Sequence, residues 1–132
     1  MSKKHFIGLW RITDMELWDS EFIDMDGPGY IRFQADGMGE FHFGAVLGTT
    51  DCQFLKRDGK DAVEFSWEGS DEMDLVYGRG WAFLDGDHLR GRLFFHQGDD
   101  SGFTAQRENV KINKATNITS GSTRTRHKRR AG

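Results

Sequence analysis

A chain of 132 residues, 36% hydrophobic and 30% charged, is long enough for one domain with its own core. Its single cysteine, Cys52, excludes an internal disulfide, and no apolar run has the length of a secretory leader or a membrane span, so a cytoplasmic protein is expected. The formal charge of −3 is split: through Glu108 there are eleven Lys and Arg against twenty-one acids, a net of −10, whereas residues 109–132 carry seven basic residues and no acid. That divides the chain into a body, 1–108, and a polar, basic tail, 109–132, which cannot bury enough apolar surface to fold alone and is expected to be disordered.

In chain order, short runs alternate between large apolar and polar residues, and the spacing predicts eight strands over 5–17, 30–34, 39–47, 50–57, 62–68, 79–84, 88–97 and 101–107. Asp26-Gly27, Asp36-Gly37, Asp58-Gly59 and Asp85-Gly86 punctuate them, and Asp-Gly suits the positive backbone angles of tight hairpin turns. One face collects Ile31, Phe33, Phe41, Phe43, Ala45, Leu47, Cys52, Phe54, Val63, Phe65 and Trp67, then Trp81, Phe83, Leu89, Leu93, Phe95, Phe103 and Ala105. The other collects Arg32, Gln34, Glu40, His42, Asp51, Gln53, Glu64, Ser66, Glu68, Arg90, Arg92 and Gln106. One dry face and one wet face is the antiparallel signature. Consecutive hairpins with a single apolar face favour an all-β, eight-stranded up-and-down barrel, which leaves no sheet edge open. An interior lined with this many Phe and Trp should be mostly filled.

The first strand carries Gly8-Leu9-Trp10, which resembles the Gly-x-Trp that opens lipocalins and other calycin barrels. The resemblance implies a Trp10 packed at the closed end of the barrel against a basic residue late in the last strand, for which Arg107 is the candidate, so that Gly8, Trp10 and Arg107 form a structural set. Separately, Trp10–Trp18 (WRITDMELW), Glu64–Gly69 (EFSWEG), Gly78–Ala82 (GRGWA) and His96–Ser101 (HQGDDS) resemble an uncharacterised family of short bacterial proteins. That resemblance spans 5–107 and implies no activity.

In a meander the connections alternate between two poles. The links 18–29, 48–51, 69–78 and 98–101 fall together and hold Asp19, Glu21, Asp24, Asp26, Asp51, Asp71, Glu72, Asp74, Asp99 and Asp100 without a Lys or Arg. Ten carboxylates around one mouth would be relieved by a cation or a basic ligand; as solvated loop acids they simply keep an aromatic-rich protein soluble. If Trp10 points inward, Asp14, Glu16 and Trp18 follow it toward that mouth and, with Tyr30, Tyr77, Arg79 and His96, become candidate ligand contacts; a bulge after Ile12 would instead turn both acids outward.

Sharper chemistries find little support. Asp24-Met25-Asp26-Gly27 resembles part of an EF-hand loop, but the positions that would complete it are Phe22 and Phe33. His42, His88 and His96 lack the spacing of a zinc set. Glu64 and Glu68, four apart on a strand, stand roughly 13 Å from each other, wider than the ~5–9.5 Å of glycosidase pairs. Cys52 has no histidine partner and reads as inert filling. No motif prescribes a cofactor, a metal or an oligomeric state. The sequence therefore favours a non-enzymatic protein that takes a small or cationic ligand at an acidic barrel mouth. A protein-interaction module using the outer sheet or the tail, and an enzyme using Asp14, Glu16, Arg79 and His96, are the alternatives. The body's charge opposes nucleic acid, while Arg124, Arg126, Lys128, Arg129 and Arg130 in the tail suit only weak, salt-sensitive attachment.

Overall fold

A computed structural model describes residues 2–108; the basic tail and its expected disorder lie outside the described residues. Eight strands close into an antiparallel barrel: β1 (Gly8–Met15), β2 (Tyr30–Phe33), β3 (Met38–Phe43), β4 (Val46–Arg57), β5 (Lys60–Asp71), β6 (Asp74–Asp85), β7 (His88–Phe95) and β8 (Asp100–Arg107). Each strand pairs with its successor, and β8 returns to β1 through Trp10–Arg107, Ile12–Ala105 and Met15–Phe103. The up-and-down barrel expected from the alternation is the fold. A one-turn helix, α1 (Ser20–Ile23), sits in the β1–β2 connection, and a 3-10 turn, Ser2–His5, precedes β1. Among the described residues no helix is long and apolar enough to cross a membrane.

Three of the four Asp-Gly pairs make the short turns of one pole. At the β4–β5 link Asp58 and Gly59 have φ of 53° and 79°, the left-handed pair that a two-residue hairpin needs. Asp26-Gly27 instead lies inside the long β1–β2 connection.

The core is an aromatic column inside the barrel: Phe6, Trp10, Phe33, Phe41, Phe43, Phe65, Trp67 and Phe103 are all buried, with Ile12, Ile31, Val63, Leu89 and Leu93 between them. Phe6 closes the Asp-Gly pole against the rings of Phe33 and Phe54, 6.0 and 5.7 Å away. Its carbonyl accepts from the Trp10 indole N–H at 3.0 Å.

Two parts of the expected inward face are corrected. The β3–β4 turn falls at Gly44-Ala45, not at 48–49, because Gly44 has φ 58° and its missing side chain is the space occupied by the Phe22 ring. This reverses the parity expected for the start of β4, so Val46 and Thr50 are buried while Leu47 is 48% exposed and Ala45 lies in the turn; Cys52 is inward as expected. In β6 the expected Trp81 and Phe83 point outward and Gly80 and Ala82 point in. Volume decides this against hydrophobicity. Phe65 of β5 lies opposite Gly80, where an added Cβ would come within 2.5 Å of its ring. An eight-stranded interior has little room, and large rings on one strand require small residues on the next.

Candidate binding cleft on the barrel wall

The acidic pole forms as the topology implies. The connection 16–29 and the turns 44–45, 72–73 and 96–99 gather there, with Asp71, Asp74 and Asp100 at the adjoining strand ends. Asp51 is a correction: it lies mid-strand on the outer face of β4, between Met38 and Ser66.

The opening at this pole is stopped with aromatic rings. Trp18 packs on Phe22, Phe43 and Phe95 with centroids 6.0, 5.0 and 6.3 Å away, and Ile23 of α1 is fully buried beneath. Asp19 caps α1 by accepting from the Phe22 amide, and Asp24 accepts from Arg11 at 3.1 Å and from the Gly29 amide at 2.9 Å. Two rim acids, Asp19 and Asp24, thus hold the connection in place.

Asp14 and Glu16 face solvent. The β1–β8 register shifts between Ile12 and Asp14, and the additional residue, Thr13, hands the inward position to Met15. Of the two arrangements open to the sequence, the bulge is the one formed. Glu16 accepts from Arg92 at 2.8 Å and from the Gly102 amide at 3.2 Å, and the amide bond first and the guanidinium second hold its carboxyl below the ordinary range. Arg92 also binds Asp100 at 2.8 Å. Tyr30, on the outside of β2, donates to Glu40 at 3.0 Å; burial first and then this bond push its hydroxyl upward. Tyr77 and His96 are brought together on the outer wall, ring on ring at 4.7 Å, and Arg79 lies next to them with its guanidinium 5.9 Å from the Phe94 ring. Asp14, Glu16, Arg79 and His96 therefore do not share a mouth, and among the described residues no set of acids, histidines and cysteine is grouped to hold a metal. Cys52 is buried beside Thr50, and burial pushes its thiol up, away from nucleophilic use.

At the closed pole the Arg107 guanidinium lies 4.2 Å from the Trp10 ring centroid and donates to the carbonyls of Ile7 and His5 at 2.8 and 2.6 Å. Gly8, at φ 127°, leaves the room: a Cβ there would lie 2.7 Å from Arg107 Nη1.

The outer wall of β4–β7 carries a feature missed in the sequence. Two cross-strand rows lie side by side, Asp51–Ser66–Arg79–Phe94 and Gln53–Glu64–Trp81–Arg92. Between them runs a surface cleft of about 520 Å³, lined by Asp51, Gln53, Glu64, Arg79, Trp81 and Phe94. A second cleft of about 280 Å³ continues past Trp81 to Phe83 and Lys60. Trp81 and Phe83 stand nearly parallel, 18° apart with centroids at 6.1 Å, and the Lys60 ammonium covers Phe83 at 5.2 Å. Glu64 is paired with Arg57, not with Arg90 or Arg92. The signal was present in Gly78-Arg79-Gly80-Trp81-Ala82-Phe83: every second residue is small, so the large ones must face out if the barrel is tight.

Arg79 is distinctive. Of the seven arginines described, Arg11, Arg32, Arg57, Arg90 and Arg92 bind carboxylates and Arg107 binds carbonyls, whereas Arg79 has neither. The side chains of Asp51, Gln53 and Ser66 are likewise without a hydrogen bond or ion pair to another described residue. The chain matches no known family model, no curated protein and no solved structure.

Proposed function

We propose that this is a non-enzymatic binding protein that receives a small ligand on the outside of its barrel, in the cleft over Trp81. The observation that carries this is the group of polar side chains without a hydrogen bond or ion pair to another described residue, Arg79, Asp51, Gln53 and Ser66, set around the half-buried rings of Trp81 and Phe94 on the sheet. Binding sites are commonly apolar surfaces with a few converging polar groups, and four long strands hold these groups in fixed register. The pole is the weaker place, since Trp18 and Phe22 fill its opening and its acids are partly engaged. The Trp10–Arg107 contact at the closed end supports a calycin-like barrel. The single buried thiol of Cys52 suits a reducing, cytoplasmic setting.

The test is a screen of small polar fragments followed by two-dimensional amide NMR. Shifts should cluster at residues 51, 53, 64, 66, 79–81 and 94. Shifts centred on Trp18 and Phe22, or scattered over the barrel, would overturn the proposal.

A second reading is supported by a separate observation. Leu47 and Leu75 flank Ser70 in one cross-strand row on the outer face, and Met73 and Leu75 are 95% and 87% exposed. Such grouped apolar side chains mark protein-contact surfaces, which fits an interaction module using the outer sheet.

A further inference from the structure

Resting on the proposal that the wall cleft is the binding site, we infer that its ligand is a neutral, polyhydroxylated ring: a saccharide that lays its C–H face on Trp81 and turns its hydroxyls to Asp51, Gln53, Ser66 and Arg79. The argument begins with charge. The lining holds two acids, Asp51 and Glu64, and two cations, Arg57 and Arg79, so its formal charge is zero. A phosphate or carboxylate ligand would gain Arg79 but meet Asp51, Glu64 and a body of net charge −10. A polyamine would be drawn by Asp51 and the body's net charge but would meet Arg79 and Arg57, and Glu64 is already paired with Arg57. A wholly apolar ligand would take the water from Arg79, Asp51, Gln53 and Ser66 and return no hydrogen bond, which is costly.

A hydroxyl escapes all three conflicts, because it donates and accepts at once. The cleft offers an acceptor at Asp51, donors at Arg79, and groups that do both at Ser66 and Gln53. The indole face of Trp81 is the negative side of the ring quadrupole and attracts the slightly positive C–H edges of a sugar ring. The two rows cross four strands, about 14 Å at the ~4.8 Å strand spacing, which is room for more than one ring. Arg79 lies on the same wall beside Phe94, its guanidinium 5.9 Å from the ring centroid, with its N–H groups free of protein acceptors among the described residues.

The test titrates the full chain with neutral oligosaccharides (cellohexaose, maltohexaose and N-acetylated chitohexaose), with AMP and with spermine, at about 0.15 M salt, where long-range attraction is screened. Calorimetry and tryptophan emission are read together; Trp10 and Trp67 are buried at 2% and 3% exposure and Trp18 lies at the acidic pole, so a ligand on the wall acts on the emission of Trp81, and the Trp81→Ala variant separates it from a response of Trp18. At least one saccharide should bind saturably, and Trp81→Ala should weaken it by about tenfold or more. Arg79→Ala and Asp51→Ala, which remove side chains that make no hydrogen bond or ion pair to another described residue, should each weaken it by several-fold with the melting temperature little changed. Saccharide binding that survives Trp81→Ala, Arg79→Ala and Asp51→Ala would overturn the inference. AMP or spermine binding that depends on Trp81, with no saccharide bound, would overturn the ligand class and leave the cleft as the site. No Trp81-dependent binding by any probe would overturn both.

Discussion

Gly8 shows how a single missing Cβ positions a charged side chain. At φ 127° its backbone is in the region L side chains avoid, and a methyl group would press on Arg107 Nη1 at 2.7 Å. Gly8→Ala should therefore cost about 1–3 kcal/mol in thermal or urea unfolding. Gly59→Ala supplies the comparison, since Gly59 also has positive φ, 79°, but nothing within 4 Å of its would-be Cβ. It should cost only the left-handed backbone penalty, about 1 kcal/mol; equal losses in the two variants would show that Arg107 is not the reason. The Gly8, Trp10 and Arg107 set was legible in the sequence because a short motif and one distant arginine define it. Trp81 and Phe83 were not, because hydrophobicity ranks a tryptophan above an alanine for burial. Only the sizes of the facing residues, Phe65 opposite Gly80 and Val63 opposite Ala82, reverse that ranking.

At the scale of elements, one extra residue decides where two carboxylates go. Thr13 is exposed, and the register against β8 slips across it, so that Ile12 and Met15 both point inward although three apart. Deleting Thr13 removes the additional residue and restores strict alternation, with Ile12 in, Asp14 out and Met15 in. Met15 keeps its place in the core and neither acid is buried, so the deletion should cost roughly 1 kcal/mol or less, seen as a near-native melting temperature. A large fall in melting temperature would show that the bulge is needed for more than keeping the acids out. Strand number and order were readable from Asp-Gly spacing and alternation, since local turn chemistry sets both. The β3–β4 turn was displaced by a long-range cause, the Phe22 ring from the β1–β2 connection filling the space beside Gly44. No local pattern in residues 39–50 announces that contact.

The whole molecule has two unlike poles and an uneven wall. The acidic pole was readable from topology and composition together, apart from Asp51, which the shifted turn carries onto the wall. What composition could not give was the state of the opening, because its closure depends on Trp18 folding back over Phe43 and Phe95. The wall near this pole bears Leu47, Met73 and Leu75 exposed, beside Asp71, Glu72 and Asp74. If this surface meets another copy, wild-type protein should show mass rising with concentration in sedimentation experiments, and Leu75→Ser should abolish the rise. Its fold should be unaffected, because an exposed substitution changes stability by about 0.5 kcal/mol or less. A monomer at all concentrations would leave this surface for a different partner chemistry or for none.

The pairing of β8 with β1 has a kinetic consequence. Trp10 and Arg107 are brought together only after nearly the whole body has been ordered, and most of the other contacts join neighbouring hairpins. Seven hairpin steps can zip in sequence, but the last seam must bring the two extremes of the sheet into line at a large entropic cost. Refolding should therefore be limited by that final docking, on the millisecond-to-second scale of β proteins with distant pairings. Until it is made, β1 and β8 are open edges, and a crowded or concentrated solution gives them other strands to pair with.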